Sequence, residues 1–83
     1  MISVTIKFFA YARDVVGRPV LVQAFEQEPC TVADVLAWLA GSYPALAAHA
    51  DRLLVARNLK YVSREAVVAD GDELVILPPV GGG

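Results

Sequence analysis

A chain of 83 residues carrying a single cysteine has room for one small domain and no internal disulfide. Its net charge of −2 argues against nucleic acid as the principal ligand, and 57% apolar residues is high for so short a chain. Either the core is unusually dense or a partner covers part of the apolar surface.

The first element is read from alternation. Ile2, Val4, Ile6 and Phe8 interleave with Ser3, Thr5 and Lys7, the period of a half-buried strand. Residues 11–16 form a short helical turn closed by Gly17, and residues 20–25 a second strand antiparallel to the first. Thr31 with Asp34 three residues later is a capping-box signature, and Asp34 also suits the positive end of a helix dipole. The helix that follows sets Val32, Val35, Leu36 and Leu39 on one stripe with Trp38 off it, and ends near Gly41 because Pro44 disfavours helix at Tyr43. A short helical stretch is expected over 44–50, a strand over 53–55, a turn at Asn58-Leu59-Lys60 into a short strand at 61–62, a turn at Asp70-Gly71 and a last strand over 73–77. The start at Met1-Ile2-Ser3-Val4 lacks the basic flank and apolar stretch of a signal peptide. The longest uncharged run, 35–50, is broken by Gly41 and Pro44 and is shorter than the ~18 residues that span a bilayer. A cytoplasmic location without membrane or nucleic-acid partners is the expectation.

Strand, strand, helix, strand, short strand, strand is the order of a ubiquitin-like β-grasp, an α+β fold whose mixed sheet has one main helix packed across it. There the first and last strands run parallel at the sheet centre. Phe9 has the parity of Thr5 and Lys7, and Leu77 that of Glu73 and Val75, so both face away from the core at one end of the sheet. With Tyr61 they make a candidate docking surface.

The chain ends Pro78-Pro79-Val80-Gly81-Gly82-Gly83. A fold gains little from three glycines, which cost backbone entropy and bury no side chain. An active site that must admit a C-terminus gains a strand of minimal cross-section. The two prolines fix φ, so the segment projects, reaching about 20 Å at ~3.3 Å per residue. The expected division is a domain over 1–77 and an extended tail over 78–83.

Lys7-Phe8-Phe9-Ala10 followed by Arg13, the Asp70-Gly71-Asp72-Glu73 turn and above all the Pro-Pro-Val-x-Gly-Gly ending resemble the small subunit of molybdopterin synthase, the MoaD family. The resemblance covers essentially the whole chain, with Gly81 at the variable position. It implies a sulfur carrier. An E1-like adenylyltransferase (MoeB-like) converts the Gly83 carboxylate to an acyl-adenylate with ATP, and a sulfur donor protein displaces AMP to leave a thiocarboxylate. The tail, Pro78 to Gly83, then inserts into the large subunit (MoaE-like), where the sulfur builds the dithiolene of the molybdenum cofactor. Catalytic side chains then belong to the partner, with Phe9, Tyr61, Leu77 and Arg13 at the interface and no cofactor or metal bound by this chain. Carriers for thiamine, tRNA thiolation or cysteine synthesis and ubiquitin-like protein modifiers share fold and tail, and the residues leave these open.

Rival sites are thin. Cys30 and His49 are too few for a metal cluster, and the triple glycine opens no helix to receive a phosphate. Arg57, Lys60 and Arg64 suit either an acidic patch on a partner or, as the preferred reading, a solvated basic face, and Asp70, Asp72 and Glu73 suit turn chemistry. Arg13 suits either a partner or a local ion pair with Asp14 or Glu26.

Overall fold

The computed structural model describes residues 1–48 and 50–78. Strand β1 (Ile2–Phe8) leads into helix α1 (Ala10–Val16), which Gly17 ends at φ 86°, its N–H donating to the Arg13 carbonyl at 2.8 Å. A positive φ at that position is what glycine accommodates without strain. Strand β2 (Val20–Phe25) returns antiparallel to β1, from Lys7 opposite Val20 to Ile2 opposite Phe25. A two-residue strand β3 (Cys30–Thr31) precedes helix α2 (Val32–Ser42).

Both halves of the Thr31–Asp34 capping box are formed: the Asp34 N–H donates to Thr31 Oγ1 at 3.2 Å, and the Thr31 N–H to Asp34 Oδ2 at 2.9 Å. Caps of this kind are worth about 1 kcal/mol. Helix α3 (Pro44–Ala47) is shorter than the expected 44–50, and a 3₁₀ turn (Ala50–Arg52) follows. Strand β4 (Leu54–Arg57) begins one residue later than expected and runs two residues further. Next come β5 (Lys60–Tyr61), β6 (Val67–Val68) and β7 (Glu73–Leu77).

The main sheet has the order β2-β1-β7-β4-β5, with β1 and β7 parallel at its centre. A second two-stranded ladder, β3 with β6, was not anticipated. Two residues are too few to show a period.

Helix α2 lies across one sheet face. Its stripe of Val32, Val35, Leu36 and Leu39 is buried with Val4, Ile6 and Phe8 of β1, Val55 of β4 and Leu74 and Ile76 of β7. Trp38, off that stripe, closes the core margin by edge-to-face contacts with Phe25 at 5.7 Å and Tyr43 at 6.5 Å. Among the described residues no helix is long and apolar enough to cross a membrane.

The charged residues near the β4–β5 hairpin are not the solvated face expected. The Arg57 guanidinium donates to the Val67 carbonyl and lies 3.9 Å from Asp72, and Arg64 reaches the Leu53 carbonyl at 3.3 Å. Arg57 ties β4 to β6 and Arg64 ties the loop before β6 to Leu53, the residue before β4, while Lys60 stays exposed. Of the acidic residues expected to be turn chemistry only Asp72 is: Asp70 ties the turn to the start of β1, and Glu73 makes a cross-strand ion pair from β7. Asp70 accepts from the Ser3 N–H at 2.7 Å, Asp72 accepts from the Ala69 N–H at 2.9 Å, and Glu73 pairs with Lys7 at 3.4 Å.

Candidate functional site: the outer sheet face and the tail exit

Cross-strand partners project from the same face of a sheet, so the register defines what the surface opposite α2 presents. One row crosses the whole sheet: Val20, Lys7, Val75, Ala56 and Tyr61. A row towards the start of β7 holds Val22, Thr5 and Glu73. Towards the end of β7, Leu77 stands opposite Leu54. The face is therefore mostly aliphatic, with a single ion pair, Lys7–Glu73, set into it. Here lies the answer to the high apolar content: the core is dense, and a second apolar surface lies outside it.

Phe9 follows the Phe8–Ile76 pair of the parallel ladder, and its N–H donates to the Ile76 carbonyl at 3.2 Å. It is 53% exposed and sits at the end of β1 beside the end of β7. Leu77 is half-buried and Tyr61 is 66% exposed. The parity argument thus places Phe9 and Leu77 together at one end of the sheet, with Tyr61 on the same face two strands away. Arg13 is exposed on α1 and, among the described residues, forms no ion pair; neither Asp14 nor Glu26 engages it. With Lys7, Phe9, Ala10, Pro19 and Val20 it lines an open concavity of about 510 Å³ beside the strand ends.

Backbone geometry accounts for this corner. Ala10 has φ 52°, in the left-handed region, where the chain turns sharply from β1 into α1. That turn leaves Phe9 outside the core even though Phe8 before it is buried. Sequence reasoning found Phe9 by parity but had no signal for the strained alanine.

β7 ends at Leu77, and Pro78, half-buried, continues from it. The remaining tail residues singled out above, Pro79, Val80, Gly81, Gly82 and Gly83, lie outside the described residues, as does His49. What the described part fixes is where the tail starts: at the end of a central strand, on the edge of the apolar face.

Cys30, the one thiol, is 2% exposed, and burial first, then the nearby Asp34 charge, pushes its pKa up. A thiol that holds its proton above the usual range is a poor nucleophile at neutral pH. The folded protein is expected to resist iodoacetamide at pH 7.5 over a time in which the urea-unfolded chain is fully labelled; equal labelling rates would contradict this burial.

A model described as the ThiS family matches residues 6–83. The chain is 35% identical over 85 residues to a molybdopterin synthase sulfur carrier subunit of Chlamydomonas reinhardtii, covering 98% of this chain and 99% of that one. It is 37% identical over 78 residues to the protein of that name in Haemophilus influenzae, covering 92% and 94%. Among solved structures, SAMP1 from Haloferax volcanii superposes with a TM-score of 0.83 at 32% identity, over 98% of this chain and 99% of that one. A chain from the complex of subunits 1 and 2 of the molybdopterin-converting factor of Helicobacter pylori superposes with a TM-score of 0.69 over 99% and 100%; at 20% identity that likeness speaks to the fold. On a match spanning nearly every residue, the chain belongs to the ThiS family, in the company of the molybdopterin synthase sulfur carrier subunits.

Proposed function

We propose that this chain is the sulfur carrier subunit of a molybdopterin synthase and that Gly83 carries the sulfur. The observation that carries the reading is likeness over essentially full length to proteins of that name, combined with a Gly-Gly terminus. The apolar face beside the tail exit supports it, because a carrier must be gripped while its end reacts elsewhere.

The chemistry follows from what a glycine carboxylate lacks. Its leaving group would be oxide, so it must first be activated. An E1-like adenylyltransferase joins the carboxylate to the α-phosphate of ATP and releases pyrophosphate. A persulfide on the sulfur donor protein attacks the acyl carbon and expels AMP, giving an acyl disulfide. A second thiol then breaks the S–S bond and leaves the thiocarboxylate on Gly83. In the large subunit this sulfur attacks the pyranopterin precursor, and water finally restores the carboxylate. This chain supplies the acyl group and the handle; the large subunit supplies the acid and base side chains, and ATP is bound by the activating enzyme.

Intact mass of the protein purified from its own host tests the proposal. Replacing one oxygen by sulfur adds about 16 Da. The shift must be located on the C-terminal peptide, since oxidation of Met1 or Cys30 adds nearly the same mass. Likeness to SAMP1 brings a second outcome into view: Gly83 joined to lysines of other proteins would favour a modifier.

A further inference from the structure

The β4–β5 hairpin is closed by two residues, Asn58 at φ 51° and Leu59 at φ 73°, between the paired Arg57 and Lys60. Two successive positive φ values are the signature of the tight hairpin turn whose twist matches the flanking strands. Asparagine is at home in the first position. The second belongs by preference to glycine, and a leucine there strains its backbone. Among the described residues the strain has no return, because Leu59 is 94% exposed, more than any other large apolar residue described. A residue that is wrong for its turn and wrong for water marks a place where the isolated chain is incomplete.

The hairpin also connects to the surface described above. Tyr61, two residues on, belongs to the apolar row that runs through Ala56 and Val75 to β1. β4 runs opposite to β7, pairing Leu54 with Leu77 and Arg57 with Leu74. Leu59 therefore stands at the corner of the sheet away from the tail exit, about 10 Å down β7 at ~3.4 Å per residue.

We propose that Leu59 is an anchor for the large subunit, a second grip on the apolar face remote from Phe9 and from the point where the tail leaves the sheet. The inference rests on the carrier reading and adds to it the extent of the partner's footprint. Two contacts at opposite corners fix the orientation of a small domain, where one beside the tail would let it pivot. Because Leu59 lies beyond the Arg57–Leu74 pair while the tail leaves after Leu77, it contributes to holding the complex and not to the reacting atoms.

The test uses the full chain and the recombinant large subunit of the same organism. Leu59→Gly and Leu59→Asn both suit the turn and both remove the apolar side chain; Leu59→Met keeps an apolar reach. The first two are expected to fold with a melting temperature equal to or above wild type and to bind at least about fivefold more weakly, as truncating an interface anchor does. Turnover at saturating large subunit should be unchanged, with only half-saturation raised, and Leu59→Met should bind within twofold of wild type. Glycine and asparagine variants that bind as wild type does would overturn the proposal while leaving the carrier reading intact. Failure of the wild-type chain to bind the large subunit would overturn both. Variants that bind the large subunit normally but are adenylated poorly would overturn it too, moving the contact to the activating enzyme.

Discussion

A chain lacking Gly82 and Gly83 is expected to fold as the full chain does and to transfer no sulfur. Deletion shortens the tail by about 7 Å at ~3.3 Å per residue and exposes the Gly81 carboxylate instead. In a channel that positions an acyl carbon against ATP or a pterin, displacement of even about 1 Å costs roughly 100-fold, so several times that distance leaves no measurable rate. Stability is expected to stay within about 0.5 kcal/mol, the range of surface changes, because glycine has no side chain to bury. A single appended alanine that host proteases do not trim makes the same prediction by another route. It adds no charge change and keeps Gly82-Gly83, but it moves the carboxylate one residue on. Both variants are checked by dithiolene formation in a reconstituted assay and by thermal unfolding. Normal synthesis by either one would mean that the terminal acyl group is not the reacting group. Gly81→Ala is the internal comparison. It lies at the variable position of the ending and is expected to retain activity, which separates loss of reach from general sensitivity of the tail.

Much of this architecture can be read from period and punctuation. The strict alternation of β1, the uncharged, mostly apolar run of β2, the Thr31–Asp34 box and the Asp70-Gly71 turn each carry a local physical reason, and these elements formed within a residue or two of their expected bounds, whereas α3 stops three residues short. Parity along β1 and β7 was enough to place Phe9 and Leu77 on the outer face, since a two-residue period leaves no freedom once the core face is known. What escaped depends on long-range partners. Leu53 looks like part of a strand because it is apolar and precedes Leu54-Val55. It is buried, but the 3₁₀ turn ending at Arg52 hands it to the core before the ladder starts. Arg57 and Arg64 look like a solvated basic face because the carbonyls they engage, Val67 and Leu53, are ten and eleven residues away. The positive φ values at Ala10 and Leu59 are invisible for a different reason: neither residue type advertises that conformation. Those two positions lie at opposite ends of the outer face proposed as the interface.

The other large effect is expected at Phe9. Its side chain is half-exposed beside the tail exit, at the N-cap position of α1, where it offers no hydrogen-bond acceptor to the helix. Phe9→Ser gives up the buried half of the ring, about 1 kcal/mol, and places at that position a residue type that helices prefer there, worth up to about 1 kcal/mol in return. The folded domain should therefore change in stability by no more than about 1 kcal/mol. Binding to the large subunit is expected to fall about 100-fold, the scale at which an aromatic anchor is lost from an interface. Calorimetric titration against the large subunit, with a denaturant curve on the free variant, measures the two quantities separately. Leu77→Ala would not separate them, because Leu77 is half-buried on a central strand and its truncation disturbs the sheet itself. Phe9 adjoins the tail, so the serine variant should lose turnover at saturation as well as affinity, since the domain no longer fixes where the tail begins. A serine variant that binds within threefold of wild type would show that the apolar end of this sheet is not where the partner takes hold, and that the tail alone carries recognition.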